Sequence, residues 1–495
     1  MERQNGGLVQ VKSKNPDKMK QIIYFVCFSL LAACSANLQP SPDKQISGEI
    51  EAGNYTRAIA VIDSLIGHGV LSTEKKVALR YTLDSLQRVM LDFNRNREEV
   101  ISWIEQHHQF TPTADQLNRW ETSRALEYRL IDGKKRYFRN AAANLFRVDS
   151  LARSLSQAQA DTAGRGTKKI LDSHLTQLIP TETKGKYFLP EVAMQVKYTL
   201  TVEPGVTEEG GTIRAWLPFP RQDIRRQADV QFIGASQEKY TFSADKTGHS
   251  SIFMEQQSRN GEAAVFSVEY ACTSQGEWFD LSQITIQPYQ TATEEYRKYT
   301  AERLPHIRFS ETIKALTDSI TRDAVTPVEI LQAVYRTITA NYPWASALEY
   351  STITDIPAYV IENGKGDCGQ VTLLLITMLR YKGIPARWQS GWMTHPSAVN
   401  LHDWAEVYFE GVGWVPVDVS FGRGEPLDNK AGREFYLSGI DSYRLTINSD
   451  YSDAFFPEKR FPRSEPVDFQ RGEAESETWN LYFNQWDYKM EVTYR

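Results

Sequence analysis

The spacing of apolar and polar residues divides the chain into three parts of different character. In residues 35–182, apolar positions such as Ala58 and Ile62 recur near the 3.6-residue period of an amphipathic helix, which predicts a helical domain. Residues 183–295 contain runs of strand length and composition, separated by glycine-rich breaks, and this pattern predicts a β-sandwich-like domain. Helical patterns return in residues 296–495, which we expect to form a third domain with a C-terminal extension.

The third part contains the two clearest helix starts. Thr326-Pro327-Val328-Glu329 combines a capping Thr, a Pro at the first helical position and the Glu of a capping box. A second helix is predicted directly after Gly366-Asp367-Cys368, with Gly366 or Asp367 as its cap. Its apolar residues surround most of its circumference, so we expect it to be central and buried. Residues 438–495 are aromatic-rich without a clear period, and we expect irregular segments and strands wrapped around the third domain.

Composition and charge exclude several classes of protein. The 41% of hydrophobic and 24% of charged residues allow the chain of 495 residues to build cores, which excludes wholesale disorder. The 56 Lys and Arg residues are outnumbered by 62 Asp and Glu residues, giving a net charge of −6. No basic surplus therefore favours nucleic acid as a partner. Only one long apolar run is present, which excludes a multi-span membrane protein.

The single long apolar run lies near the start of the chain, at residues 22–33. It is too short to span a bilayer, and it follows two lysines and ends in small residues, as is typical of a secretory signal. Leu31-Ala32-Ala33-Cys34 resembles the lipobox of bacterial lipoproteins. We expect residues 1–34 to be a signal peptide with a lipobox and Cys34 to carry the lipid, which anchors the protein on the periplasmic face of the outer membrane. The alternative is a buried core strand with a chance cysteine.

Two cysteines remain once Cys27 is removed with the signal and Cys34 is lipidated. Cys272 and Cys368 are far apart in sequence and do not form a disulfide framework. Cys272 ends a predicted strand without an acid–base partner nearby, and we expect it to be a buried structural thiol. Cys368 is expected in the first turn of its helix, where free N–H groups and the helix dipole stabilise a thiolate. We therefore predict a lowered pKa for the Cys368 thiol.

Two predicted strands, joined by the connection Gly411-Val412-Gly413, place a histidine near an aspartate. His402 and Asp418 lie at similar distances from this connection, so we expect their side chains to be close across the strand pair. Asp403 follows His402 directly. Because side chains alternate along a strand, we expect Asp403 to point to the opposite face, away from the thiol.

A Cys, a His and an Asp in this arrangement are what a thiol acyl-transfer enzyme needs. The alternative is three unrelated residues. The motifs that contain them resemble the bacterial transglutaminase-like core domain, over about Pro327 to Phe421. These motifs are Gly366-Asp367-Cys368, Gly383-Ile384-Pro385-Ala386-Arg387, His402-Asp403-Trp404 and Gly413-Trp414-Val415-Pro416-Val417-Asp418.

The resemblance implies an α+β, papain-like core in which the helix bearing Cys368 packs against an antiparallel sheet. It also implies that Cys368 is the nucleophile, His402 the general base and acid, and Asp418 the group that orients the histidine. Where the family commonly has His-Ala-Trp, this chain has Asp403 after the histidine, a change that we expect to lie off the catalytic face. No carboxylate cluster typical of a calcium site is evident, so the resemblance implies neither a metal nor a cofactor.

Four tryptophans are further candidates for the site. In relatives, a side chain upstream of the cysteine assists the oxyanion, and Trp344 is the candidate here through its indole N–H. The alternative is a core tryptophan at a helix exit. Trp388, Trp392 and Trp404 are candidates for the walls of a substrate groove, with core packing as an equal alternative.

Three functions compete. The first is an amide hydrolase or peptidase that acts on peptides or proteins, the second a true protein-glutamine transglutaminase, and the third a non-catalytic binding scaffold. The complete triad counts against the scaffold. The two enzymes differ only in whether water or an amine attacks the acyl-enzyme, and the abundance of water favours hydrolysis. The helical domain is a candidate for binding a protein partner.

Overall fold

The structure is a computed structural model that describes residues 41–157, 163–243, 247–396, 398–423 and 427–495. The predicted signal peptide and the lipidation of Cys34 lie outside these residues and stay predictions. No helix within the described ranges is long and apolar enough to cross a membrane.

The described chain divides into two compact units, one that ends at Leu79 and one that begins at Arg80. The predicted helical domain at residues 35–182 is therefore not a separate unit, because most of it belongs with the sheets that follow. The described part of the first unit contains α1 (Pro42–Glu51), α2 (Tyr55–His68) and the start of α3 (Thr73–Asp92).

The helical part of the second unit begins with the remainder of α3 and includes one hairpin that the sequence pattern did not predict. Asp132 and Gly133 at its turn both have positive φ, which a two-residue hairpin connection requires. The elements are α4 (Arg97–His108), α5 (Ala114–Thr122), β1 (Tyr128–Ile131), β2 (Lys134–Tyr137), α6 (Ala141–Val148), α7 (Ser150–Leu155) and α8 (Ala163–Leu175).

Two antiparallel sheets follow, with an apolar core that includes Tyr198 and Phe266 of one sheet and Trp216 of the other. The larger sheet contains β3 (Ile179–Pro180), β4 (Lys186–Val202), β6 (Gln227–Ala235), β9 (Ala264–Phe279), β13 (Gly439–Ile440) and β17 (Trp486–Tyr494). The smaller sheet contains β5 (Thr212–Pro218), β7 (Tyr240–Phe242), β8 (Ser251–Gln257), β15 (Glu473–Glu475) and β16 (Asn480–Leu481).

The C-terminal strands complete both of these sheets. β17 pairs with β4 along its length, from Trp486 opposite Val202 to Tyr494 opposite Met194, and β15 pairs with β5. The predicted domain boundary between residues 295 and 296 is therefore wrong for the end of the chain. Strands β4 and β5 leave unpaired backbone groups at their edges, and the C-terminal strands satisfy them.

The third part has a central helix, α13 (Cys368–Tyr381), packed against a four-stranded antiparallel sheet in the order β12-β11-β10-β14. The predicted α+β fold, with a buried helix against an antiparallel sheet, is confirmed. The strands are β10 (Ala386–His395), β11 (Ala398–Phe409), β12 (Gly413–Val417) and β14 (Arg444–Asn448). The other helices are α9 (Glu294–Thr300), α10 (Glu311–Ile320), α11 (Pro327–Asn341) and α12 (Ile356–Asn363).

Both predicted helix starts are present. Thr326 and Glu329 form the capping box of α11. Asp367, one of the two proposed caps, forms a capping box with Gln370 at the start of α13. All residues of α13 from Gly369 to Arg380 are buried, as the apolar pattern predicted.

The register of the sheet fixes which residues share a face. On β11, His402 lies opposite Gly391 and Asp403 opposite Ser390 of β10. Gly391 is required there, because an added Cβ would lie 1.9 Å from the carbonyl oxygen of Leu445 on the neighbouring strand β14. Because side chains alternate along a strand, the adjacent residues His402 and Asp403 point to opposite faces of the sheet.

Candidate active site

His402 and Asp418 form a hydrogen-bonded pair across β11 and the end of β12. Nε2 of His402 lies 2.7 Å from Oδ2 of Asp418. The other oxygen, Oδ1 of Asp418, accepts the backbone N–H groups of Ser420 and Phe421 at 3.0 and 3.1 Å. The predicted proximity of His402 and Asp418 is confirmed, and their catalytic roles stay predictions.

A buried arginine extends this pair into a network with a second carboxylate. Nη2 of Arg444 lies 3.4 Å from Oδ2 of Asp418, and its Nε lies 2.9 Å from Oδ2 of Asp441. Asp441 in turn contacts Nε2 of His395 at 3.1 Å. All these side chains are buried, so the Arg444 guanidinium stabilises two carboxylates that would otherwise be costly to bury.

The electrostatics of the pair suit a proton acceptor. Burial lowers the pKa of His402, and the Asp418 carboxylate only partly opposes this effect, so the imidazole is neutral near pH 7. Burial raises the pKa of Asp418, but His402 and Arg444 outweigh burial and the net shift is downward. With Nε2–H donating to the carboxylate, Nδ1 of His402 is the nitrogen that accepts a proton.

The Cys368 thiol lies at the start of α13, as predicted, but it contacts a different acid. Its Sγ donates to Oδ2 of Asp403 at 3.2 Å. The side chain is half-buried. In the described structure, the hydrogen-bond partner of the thiol is therefore Asp403 and not His402.

Asp403 is held by residues from the C-terminal part of the chain. Its Oδ1 accepts the side-chain amide of Gln470 at 2.6 Å, and the same amide donates to the backbone carbonyl of His402 at 2.7 Å. Its carboxyl group also hydrogen-bonds with Asp468. Burial, together with the nearby Asp468 and Asp367, raises the pKa of Asp403 well above its ordinary value. The Asp403–Asp468 pair therefore shares a proton, since two buried carboxylates this close cannot both ionise.

The expectation that Asp403 points away from the thiol is wrong. The alternation of His402 and Asp403 along β11 holds, but the start of α13 lies on the Asp403 side of the sheet. A Cβ added at Gly369 would lie 2.8 Å from Oδ2 of Asp403, which shows how closely the first turn of α13 approaches this carboxyl group.

The predicted lowering of the Cys368 pKa is also wrong for this conformation. Burial, followed by the carboxyl groups of Asp403 and Asp367, raises the pKa of Cys368 well above its ordinary value. The helix dipole is outweighed, and the thiol rests in its neutral form. Burial raises the pKa of Cys272 to about 12, and the prediction of a buried thiol there is confirmed.

Arg423 is near both halves of the candidate triad. Its guanidinium donates to the backbone carbonyl of Tyr342. Burial lowers its pKa to about 10, while the charges of Asp418 and, to a smaller extent, Cys368 oppose this shift. Arg423 is thus close enough to both groups to stabilise negative charge on either.

Trp344 lies beside the start of α13. Its backbone forms a parallel bridge with Gly366, and its side chain is 39% exposed beneath the Arg147 guanidinium, 4.6 Å from the ring centre. The alternative interpretation of Trp344 as a core residue is therefore wrong. Its role toward an oxyanion stays a prediction.

The other three tryptophans do not line a groove. Trp388, Trp392 and Trp404 are all at most 1% exposed. The indole N–H of Trp392 donates to the carbonyl of Gln470 at 3.0 Å, within the core. Their interpretation as groove walls is wrong for this conformation, and packing is their role.

Several residues of the site were missed by sequence reasoning. Asp468 and Gln470 lie in an aromatic-rich segment without periodicity, and Tyr350, which donates to Asp367 at 2.6 Å, lies outside every motif. Arg444 begins a strand that alternates polar residues with Leu445 and Ile447, and this short alternation gave no signal that its side chain is buried. Within the described parts of the chain, no three His, Cys, Asp or Glu side chains are arranged to hold a metal.

Comparison with protein families places this site in a known context. Residues 314–419 match the model of the Transglutaminase-like superfamily, a range that contains Cys368, His402 and Asp418. The chain carries a transglutaminase-like core. This match supports a cysteine-dependent enzyme as the general kind of protein. No curated protein sequence matches the chain.

This chain also has limited similarity to several solved structures. A proposed cysteine protease from Cytophaga hutchinsonii is 14% identical, with 62% of this chain and 92% of that chain covered and a TM-score of 0.42. The periplasmic domain of TgpA from Pseudomonas aeruginosa is 12% identical, with 46% and 88% covered and a TM-score of 0.25. A proposed protease from Parabacteroides distasonis is 11% identical, with 45% and 46% covered and a TM-score of 0.21.

Proposed function

We propose that the protein is an exported cysteine enzyme that cleaves amide bonds of peptides or proteins through a thioester acyl-enzyme. The observation that supports this proposal most is the buried His402–Asp418 pair within the transglutaminase-like core that also carries Cys368. A neutral imidazole fixed by a carboxylate is a suitable proton acceptor for a thiol.

Catalysis requires a conformational change, because the Cys368 thiol rests on Asp403 while His402 points to the opposite face of β11. The thiol proton moves to Nδ1 of His402, and the thiolate attacks the carbonyl carbon of the amide. His402 then gives the proton to the departing amine, which leaves a thioester on Cys368. Water, deprotonated by His402, attacks the thioester carbonyl. The C–S bond then breaks, the acid product leaves, and His402 returns the proton to the sulfur to restore the thiol.

The oxyanion formed in this attack needs hydrogen-bond donors. The first N–H groups of α13 point out of the helix start beside Cys368, and Arg423 adds a nearby positive charge. Trp344, beside Gly366, is a further candidate donor. Together, these donors would stabilise the oxyanion of the transition state more than they stabilise the resting thiol.

Hydrolysis and amine transfer share every step up to the thioester. We therefore pair a peptide- and ammonia-release assay on a peptide library with incorporation of a labelled primary amine, each run beside Cys368→Ser. Release without amine incorporation is the expected result. Incorporation that exceeds release would instead identify a transglutaminase.

A non-catalytic scaffold is the second candidate, and one observation favours it. The thiol rests on Asp403 with a raised pKa instead of on the histidine. If neither release nor incorporation differs between the unchanged protein and Cys368→Ser, the scaffold is the correct function.

The proposed location rests on the sequence at Leu31-Ala32-Ala33-Cys34. We propose a lipid on Cys34 that anchors the protein to the periplasmic face of the outer membrane. Cys34→Ser should release the protein from washed membranes into the soluble fraction. A serine variant that stays membrane-bound after a salt wash would show that the anchor is elsewhere.

A further inference from the structure

An apolar cavity of about 300 Å³ lies between α8 and the chain that follows the Phe421 turn. Its walls are mainly hydrophobic side chains: Leu171, Leu175, Met393, Phe421, Phe435 and Tyr436. Among the polar residues of its lining, His395 contacts Asp441 at 3.1 Å and Asp172 contacts Lys168 at 2.5 Å, and the exposed Arg433 is also part of the lining. Such a cavity suits an apolar group and is near the lower end of the size range of small-molecule sites.

Phe421 connects this cavity to the candidate triad. Its ring forms part of the cavity wall and also contacts the His402 imidazole edge-to-face, with 4.9 Å between ring centres. Its backbone N–H donates to Oδ1 of Asp418 at 3.1 Å. The wall of the cavity is therefore held by the same carboxylate that holds the histidine, and one aromatic ring separates the cavity from the imidazole.

We propose that this cavity binds an apolar side chain of the peptide substrate. The proposal rests on the proposed function and names its substrate class: peptides with Leu, Met or Phe within one or two residues of the cleaved amide. Under the proposed function, the thiol and the His402 imidazole meet at the reacting carbonyl. An extended peptide advances about 3.3–3.6 Å per residue, so a side chain one ring away from the imidazole then belongs to a residue close to that carbonyl.

Charged side chains are poor occupants of this cavity. An ionised group would lose its hydration on entering the apolar part of the cavity, where His395 and Asp172 are already engaged with Asp441 and Lys168. A Leu, Met or Phe side chain, by contrast, gains from leaving water, by roughly 1.5–3 kcal/mol when it is fully buried. The cavity therefore separates peptides by side-chain polarity.

The test uses a position where the cavity can be filled without touching the triad. Leu171 lies on α8 and forms part of the wall, whereas its neighbour Ile170 is 46% exposed and is not part of the wall. Leu171→Trp fills the cavity and Leu171→Ala widens it. Ile170→Trp and Ile170→Ala are the matched controls, and circular dichroism checks that each variant is folded.

The first readout is cleavage of peptides that differ in one residue beside the amide. We expect Leu171→Trp to reduce kcat/KM for Leu, Met and Phe peptides by roughly 10- to 100-fold and to change that for an Ala peptide by less than about threefold. Leu171→Ala should shift the preference toward larger side chains. A cleavage preference that Leu171→Trp leaves unchanged, or that Ile170→Trp changes equally, overturns the proposal.

The second readout is binding of the same peptides to the full chain with Cys368→Ser, followed by fluorescence anisotropy. This measurement does not depend on turnover. Tighter binding of Leu, Met and Phe peptides than of Ala or Asp peptides, lost in Leu171→Trp, supports the cavity even if the unchanged protein cleaves nothing; that result would overturn the proposed function alone. Equal binding of all peptides overturns the cavity proposal.

Discussion

A buried aspartate lies at each face of strand β11, and the pKa values of the two are shifted in opposite directions. On one face, Asp418 is paired with His402 and Arg444, and its pKa is lowered despite burial. On the other face, Asp403 lies beside Asp468 without a cation bonded to it, and its pKa is raised. Because both acids are buried, the difference shows that the nearby charges, and not the depth of burial, decide which acid ionises.

This difference determines the resting state of the thiol. Cys368 lies on the face that carries surplus carboxyl groups, where a thiolate is disfavoured, and His402 lies on the other face. The protein therefore holds the Cys368 thiol in a neutral form beside Asp403. Under the proposed function, a bound substrate must favour the conformation in which the thiol meets His402.

The largest effect is expected from His402→Ala. Under the proposed function, this change removes the group that takes the thiol proton, so kcat/KM for peptide release should fall by roughly 10³-fold or more. Ser390→Ala, on β10 opposite Asp403, is a control that changes the other face of the sheet. A His402→Ala enzyme within tenfold of the unchanged protein would mean that this face of β11 is not the catalytic one.

A somewhat smaller effect is expected from Asp418→Asn. The amide cannot stabilise the imidazolium and permits the wrong tautomer of His402, so kcat should fall by roughly 10²–10⁴-fold. Asp441→Asn is the matched control, because Asp441 is an equally buried carboxylate that pairs with Arg444 and with a different histidine, His395. Both variants should lower the melting temperature. If kcat per folded molecule falls equally in Asp418→Asn and Asp441→Asn, the buried network supports the site as a whole and Asp418 has no separate role toward His402.

Local patterns predicted the His402–Asp418 pair because the two strands are joined by a short connection and alternate regularly. The cap of α13 was predictable for the same reason, since a capping box spans four residues. The contact between Cys368 and Asp403 joins two elements, and their relative placement depends on long-range packing that spacing does not show. The resemblance to the family suggested the triad but did not show where the thiol rests.

The end of the chain shows a signal that was present and missed. In β17, Trp486, Tyr488, Met490 and Val492 alternate with polar residues, which is the pattern of a strand with one covered face. Asp468 and Gln470 lie just before these C-terminal strands, in irregular chain. Their position beside Asp403 follows from the pairing of β15 with β5, which no local pattern contains.

A moderate effect is expected from Asp403→Asn, on the thiol and not on the fold. An amide NH₂ beside Sγ cannot accept the thiol hydrogen and does not ionise, so the pKa of Cys368 should fall. Alkylation of Cys368 at neutral pH should then be about tenfold faster, as expected for a pKa change of about one unit. The rate is measured by mass spectrometry, with the buried Cys272 as the internal control. If activity falls as far as in His402→Ala, Asp403 is part of the catalytic group and the triad must be reassigned.

The smallest effect is expected from Asp367→Asn, and it appears only in the pH dependence of stability. Burial raises the pKa of Asp367 to about 6, although Tyr350 opposes this shift through its hydrogen bond. The folded state therefore binds a proton more tightly than the unfolded state does. The stability that this proton contributes is present below pH 4 and is lost as the pH rises toward 6, by at most about 3 kcal/mol.

Asp367→Asn keeps the two hydrogen bonds that Oδ1 accepts, from Tyr350 at 2.6 Å and from the backbone N–H of Gln370 at 2.9 Å, but it cannot ionise. Urea unfolding midpoints at pH 4, 5, 6 and 7 should therefore decline less for Asp367→Asn than for the unchanged protein. The difference should grow through this window and stay constant above pH 6. Tyr350→Phe should do the opposite, because losing its hydrogen bond raises the pKa of Asp367 further and steepens the decline. Parallel curves for all three proteins would show that Asp367 is already ionised at pH 4, and the surplus of neutral carboxyl groups on the thiol face would then be limited to the Asp403–Asp468 pair.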